Sequence, residues 1–188
     1  SKGYGAGNRL MANRITEAAW GWTAGGRLPL VVDASSCALG LAREVVPYLS
    51  EDNRALHAEL RIVDSVVWAA EELLPRLEVR RRVGSAVLHP TCSTRHLGDE
   101  EQLRAVAAAC ADEVVVPEDA GCCAFAGDRG MLHPELTASA TRREAAEVTA
   151  RPFDAYLSAN RMCEVGMERA TGHPYASVLL ELERATRP

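Results

Sequence analysis

Three short apolar runs in this chain each end in cysteine: SAVLHPTC closes on Cys92, EVVVPEDAGCC on the pair Cys122-Cys123, and DAYLSANRMC on Cys163. Runs of this length and composition read as strands, and helix-period segments lie between them. Strands that alternate with helices build an α/β fold whose parallel strands are covered by helices. In a parallel sheet all C-terminal strand ends lie on one edge, which is where such folds place their ligands. Four cysteines at strand ends are therefore expected to converge. The pattern predicts helices at 8–22, 38–49, 62–77, 99–111, 134–149, 164–170 and 175–185, with strands at 28–34, 84–90, 113–117 and 153–159.

Converging thiols suggest a soft metal. Cys92, Cys122, Cys123 and Cys163 form a four-thiolate set suited either to zinc or to an iron–sulfur cluster, since both take thiolate sulfur. Two adjacent cysteines fit a cluster better than a single zinc ion, because neighbouring sulfurs can bind different irons. The plain alternatives are buried free thiols or a vicinal Cys122-Cys123 disulfide. Six cysteines in 188 residues are too few for a disulfide-dense secreted scaffold, and a chain of this length can hold a core without staples. Cys110, inside the alanine-rich run EEQLRAVAAACADE, is expected in the core. His89 and His96 flank Cys92 and could be ligands or proton donors near a bound organic acid, though a hydrogen-bonded histidine at a strand end is the simpler expectation. Arg95, Asp119, Arg129 and Asn160 lie near the cysteines in sequence; Arg95 or Arg129 could bind a carboxylate, with a surface role the simpler expectation.

The chain repeats itself. Aligning Cys37 with Cys163 sets VVDASSCALGL over LSANRMCEVGM, with Gly40 over Gly166, and DSVVWAAEELL then corresponds to ASVLLELERA after about fourteen extra residues in the first copy. Two halves are expected, 1–80 and 81–188, with Cys37 closing the first cysteine motif. Gly130 lies thirty-three residues before Cys163 and Gly3 thirty-four before Cys37, so the first half's cysteine pair would fall just upstream of Ser1. The first half is thus expected to be truncated, and the chain to be part of a longer protein.

A formal charge of −5, with Arg80-Arg81-Arg82, expected at a solvated helix end, as the one basic run, argues against nucleic acid as the main partner. No apolar stretch approaches the roughly 20 residues that span a bilayer. The expected location is cytoplasmic, or peripheral at the inner face of the membrane.

The spacing Cys92, Cys122-Cys123, Cys163, with a second copy around Cys37, resembles the tandem cysteine-rich domain named for its Cys-Cys-Gly motif. That domain occurs in heterodisulfide reductases, in iron–sulfur subunits of glycolate and lactate oxidation systems, and at the C-terminus of FAD-linked D-2-hydroxyacid dehydrogenases. The wording SKGY, VVDASSCALGL and LHPTCS is most similar to the last group, the D-lactate type. The resemblance implies an iron–sulfur cluster, of 4Fe–4S type, held by Cys92, Cys122, Cys123 and Cys163, with Cys37 matching the closing cysteine of the first motif. It also implies a relay of electrons from FAD, bound elsewhere in the parent protein, to a quinone or redox-protein acceptor. The partners would be the FAD-binding and ferredoxin-like domains of the same parent chain, and the fragment alone would lack dehydrogenase activity. Two departures stand out: Ala124 replaces the motif glycine, and Cys163 is single where some members end in Cys-x-x-Cys.

Overall fold

A computed structural model describes residues 4–188, and the chain divides into two compact units, 1–65 and 66–188. Gly3, the counterpart of Gly130 in the repeat, lies outside the described residues. In the first unit, α1 (Gly5–Trp22) leads to β1 (Leu30–Val32) and α2 (Ser35–Leu39). The α2 segment runs on through a wider turn over Gly40–Glu44 and a tight turn at Val46–Tyr48, and α3 (Glu51–Ala58) and β2 (Ile62–Asp64) follow. Strands β1 and β2 pair in parallel, Val31 opposite Val63.

At the junction comes α4 (Ser65–Trp68), and the chain continues through β3 (Val83–Leu88), α5 (Cys92–Leu97), α6 (Glu100–Cys110) and β4 (Ala111–Val115). Then come α7 (Arg129–Leu132), α8 (Pro134–Thr149), β5 (Ala155–Ser158), α9 (Arg161–Thr171), β6 (Ala176–Ser177) and α10 (Val178–Thr186). The four strands of the second unit are parallel and ordered β4-β3-β5-β6. The expected α/β class, with helix-covered parallel strands, is the observed one.

Side-chain alternation along these strands builds a separate core on each face of the sheet. Ala86, Leu88, Ala155 and Leu157 pack with Leu103, Val106 and Cys110 of α6 and with Val178 and Leu182 of α10. The residues between them, Val87 and Tyr156, face the other way, onto Val148 of α8 and Met167 of α9. Leu88, Leu103, Leu157 and Val178 are fully buried, each contributing about 1.5–3 kcal/mol relative to exposure. Local signals set the helix ends. The side chains of Thr91 and Asn160 cap α5 and α9 by accepting from the Thr94 and Met162 N–H groups, and Gly98 and Gly172 end those helices at φ of +90° and +74°.

Several details depart from the sequence reading. The expected helix 62–77 opens as strand β2, because Ile62–Asp64 satisfies its backbone by pairing with β1. The extra residues of the first half contain α3, capped by Ser50 and carrying Glu51 and Asp52 in its first turn. Arg80-Arg81-Arg82 is not a helix end: it precedes β3 in an extended segment, where Arg82 pairs with Asp112 at 2.9 Å. The units divide at 65/66 rather than at 80/81, since Val66 and Ala69 pack into the core of the second sheet. Both halves share one order, α1-β1-α2-β2-α4 against α8-β5-α9-β6-α10, with α3 as the addition in the first. Cys37 and Cys163 are each the third residue of the helix that follows a strand.

Candidate metal centre at the switch point of the sheet

The strand order contains one reversal. From β3 the chain moves outward to β4, then crosses back to place β5 on the other side of β3. The connections leaving β3 and β5 therefore run to opposite sides, and the C-terminal ends of strands at such a reversal are the usual ligand position in these sheets. His89 is the first residue after β3, Cys92 starts α5, and Cys163 lies in the first turn of α9 after β5. Cys122 and Cys123 enter from the loop that follows β4.

That loop is held from several sides. Glu147 of α8 accepts from the N–H groups of Glu118 and Asp119, both at 2.8 Å, and Glu144, one turn earlier, accepts from Gly121 at 3.4 Å. Phe125 is fully buried beneath the loop, and its carbonyl accepts from the Gly130 N–H at 2.8 Å. Ala124 and Ala126 sit at φ of +54° and +44°, a left-handed conformation that disfavours side chains with a Cβ. The missing motif glycine thus matters at 124, where the backbone needs φ > 0. This tight winding turns amide groups toward sulfur: Ala124 donates to Cys122 Sγ at 3.4 Å, and Phe125 to Cys123. The Ser93 N–H likewise donates to Cys92. Such amides stabilise thiolates and tune metal–sulfur centres.

The structure brings the four cysteines of the second motif together. Cys123 Sγ and Cys163 Sγ share a hydrogen bond at 3.2 Å, both residues being buried, while Cys92 and Cys122 are exposed and close enough to interact electrostatically. The shared bond to Cys163, with help from His89 and the Phe125 amide, outweighs burial and draws the Cys123 thiol down to about 5. Cys163 moves the opposite way, raised first by that same bond and then by burial. One proton thus serves two sulfurs, with the thiolate on Cys123. Burial and the neighbouring Cys122 raise Cys92.

Behind the sulfurs stands His89, fully buried. Its backbone is fixed to β5, the N–H donating to Leu157 O at 2.8 Å and the carbonyl accepting from Ser158 Oγ at 3.0 Å. Nδ1 meets Glu144 Oε1 at 2.7 Å, and Glu144 is itself 2% exposed. Nε2 makes no well-formed hydrogen bond, and a ring nitrogen of His89 and the Cys123 and Cys163 sulfurs all lie within 4.8 Å of one another. Burial acts to lower the His89 pKa, but the adjacent Cys123 and Glu144 prevail and raise it to about 9.

The donor set fits a metal. The 3.2 Å sulfur separation is far beyond a disulfide bond of about 2.05 Å. It is within about half an ångström of the spacing of two thiolates bound at about 2.3 Å to one tetrahedral ion. Cys110 lies apart in the α6 core, where it donates to Val106 O at 3.2 Å. Cys37 belongs to the first unit, where it is exposed and lines a largely apolar groove of about 760 Å³ with Met11, Ile15, Leu41 and Tyr48. Arg95 is engaged with Glu100 at 3.2 Å, Arg129 and His96 are exposed, and Asn160 caps α9. Glu144 was missed from sequence. It sits on a helix rich in charged residues, and only its burial sets it apart.

No helix among the described residues is long and apolar enough to cross a membrane. Compared with known proteins, the chain matches no family model and no curated protein.

Proposed function

We propose that the second unit is a metal–thiolate electron-relay module, holding an iron–sulfur centre through Cys92, Cys122, Cys123 and Cys163. One observation carries this reading: four thiols from three separate strand ends meet at the switch point, with backbone amides aimed at three of their sulfurs. Amide donors onto sulfur, inside a partly buried pocket, are the features that set the potential of such centres. In line with the motif resemblance, the electrons would come from a flavin in another domain of an FAD-linked D-2-hydroxyacid dehydrogenase, D-lactate type, and leave to a quinone or redox protein. Cys37 would belong to the corresponding site of the first half.

The buried group of His89, Cys123 and Cys163 favours a second reading, a structural zinc site without electron transfer. Metal and acid-labile sulfide analysis of anaerobically prepared protein separates the two. Iron and sulfide in similar amounts, with a brown and oxygen-sensitive chromophore, support the relay. A colourless protein with one tightly held zinc supports the structural reading. Protein with neither metal, and a thiol count that drops by two on mild oxidation, refutes both in favour of thiol–disulfide chemistry.

A further inference from the structure

We infer that His89 is itself a metal ligand, coordinating through Nε2 beside Cys123 and Cys163, and that Glu144 is the positioning residue that prepares it. The inference rests on the proposal that these thiols hold a metal, and it changes the ligand set from all-sulfur to mixed nitrogen and sulfur.

Three observations converge. First, a histidine buried to 0% exposure normally satisfies both ring nitrogens, yet Nε2 makes no well-formed hydrogen bond, having only the Cys123 sulfur near it, while Nδ1 has a short one. A buried nitrogen left without a good partner is destabilising unless something else occupies it. Second, a ring nitrogen of His89 lies within 4.8 Å of both buried sulfurs, and with Nδ1 held by Glu144 it is Nε2 that is left for a metal there. Third, both Glu144 oxygens accept hydrogen bonds, one from His89 Nδ1 and one from Gly121, which keeps a proton on Nδ1 and makes Nε2 the ring nitrogen that a metal, displacing its proton, would take. A carboxylate that fixes the histidine tautomer from behind is the usual outer partner of a metal-bound imidazole.

Glu144 does more than orient the ring. Its other oxygen accepts from Gly121, immediately before the cysteine pair, so one carboxylate sets the histidine and the loop carrying Cys122 and Cys123 against each other. Neutral imidazole in place of a thiolate also removes one negative charge from the ligand set, which makes an electron-transfer centre easier to reduce.

The test is anaerobic titration of this chain with cobalt(II), read by absorption and pulsed EPR. The expected result is sulfur-to-cobalt charge-transfer absorption, together with hyperfine coupling to an imidazole nitrogen, in the unmodified protein and in His96→Gln. In His89→Gln the nitrogen coupling should vanish while sulfur bands remain, and Glu144→Ala should weaken cobalt binding by about 10- to 100-fold. Sulfur bands without nitrogen coupling in the unmodified protein would overturn the assignment of His89 and leave the thiolate site standing. Absence of sulfur bands would overturn both, leaving His89 as the hydrogen-bonded neighbour of a free thiolate. Both decisive results come from the unmodified chain, so neither depends on a variant folding.

Discussion

Gly130 offers the sharpest test of how the cysteine loop is built. A Cβ placed there would lie 2.7 Å from both Cγ and Cδ2 of Phe125 and 2.9 Å from its Cα. Phe125 is fully buried, and the Arg169 guanidinium lies 5.5 Å from the centre of its ring. Because one clash is with backbone, no side-chain rotation relieves it, and the Phe125 segment must move with the adjacent Cys123. Overpacking of this kind costs about 1–3 kcal/mol, and the absence of a rotamer escape puts Gly130→Ala near the upper end. Better helix propensity in α7 offsets at most about 1 kcal/mol. A net loss of about 2 kcal/mol is therefore expected, lowering Tm by about 4–8 °C for a chain of this size. Gly166→Ala is the internal comparison, since its Cβ would meet Cys123 Cβ at 3.3 Å and Phe125 at 3.4 Å, contacts that a few tenths of an ångström relieve. Differential scanning calorimetry on the reduced, metal-free protein gives both values. A Gly130→Ala transition within 1 °C of the parent, or one higher than Gly166→Ala, would refute the buttress argument.

Ala124→Gly should stabilise the protein by about 1 kcal/mol, because glycine removes the penalty at φ of +54° at a smaller entropic cost; chemical denaturation checks it, and a loss of stability would count against the strained loop. Metal loading should protect Cys92 and Cys122, both exposed in this structure, from iodoacetamide, while Cys110 stays unlabelled with or without metal; mass spectrometry of tryptic peptides reads each site. Cys110 also gives a pH signature, since burial raises its thiol to about 11. A folded-state value above the unfolded one means that its contribution is complete below about pH 9 and lost as pH rises toward 11. The stability of the parent relative to Cys110→Ala should fall by roughly 2–3 kcal/mol over that window, and a constant difference would refute it. On the proposed relay reading, Cys122→Ser or Cys123→Ser in an FAD-linked full-length protein should abolish acceptor reduction while substrate still bleaches the flavin; stopped-flow absorbance beside steady-state acceptor reduction checks it, and normal acceptor reduction would refute the relay.

The alternation of apolar runs with helix-period segments was enough to predict an α/β fold with parallel strands, because side-chain periodicity is a local property of the backbone. Placement of Cys92, Cys122, Cys123 and Cys163 after strand-like runs was equally legible. Short elements were not. Strand β2 and helix α3 are eight residues or fewer, and whether Ile62–Asp64 extends or coils is decided by Leu30–Val32, which it pairs with from thirty-two residues away. The unit boundary escaped for the same reason, because Val66 and Ala69 join a core whose other members come much later in the chain.

At the site, the sequence by itself determined which residues bear sulfur and that they follow strands. Only the tertiary structure decided that β5 lies beside β3, bringing His89 and Cys163 together. It also decided that Glu144, on α8 and 55 residues from His89, meets His89 Nδ1, leaving Nε2 as the nitrogen available beside the two buried sulfurs. The physical reason is that a strand's neighbour, and the partner of a buried polar atom, are chosen by packing among segments distant in the chain, and neither choice leaves a periodicity or a spacing to read.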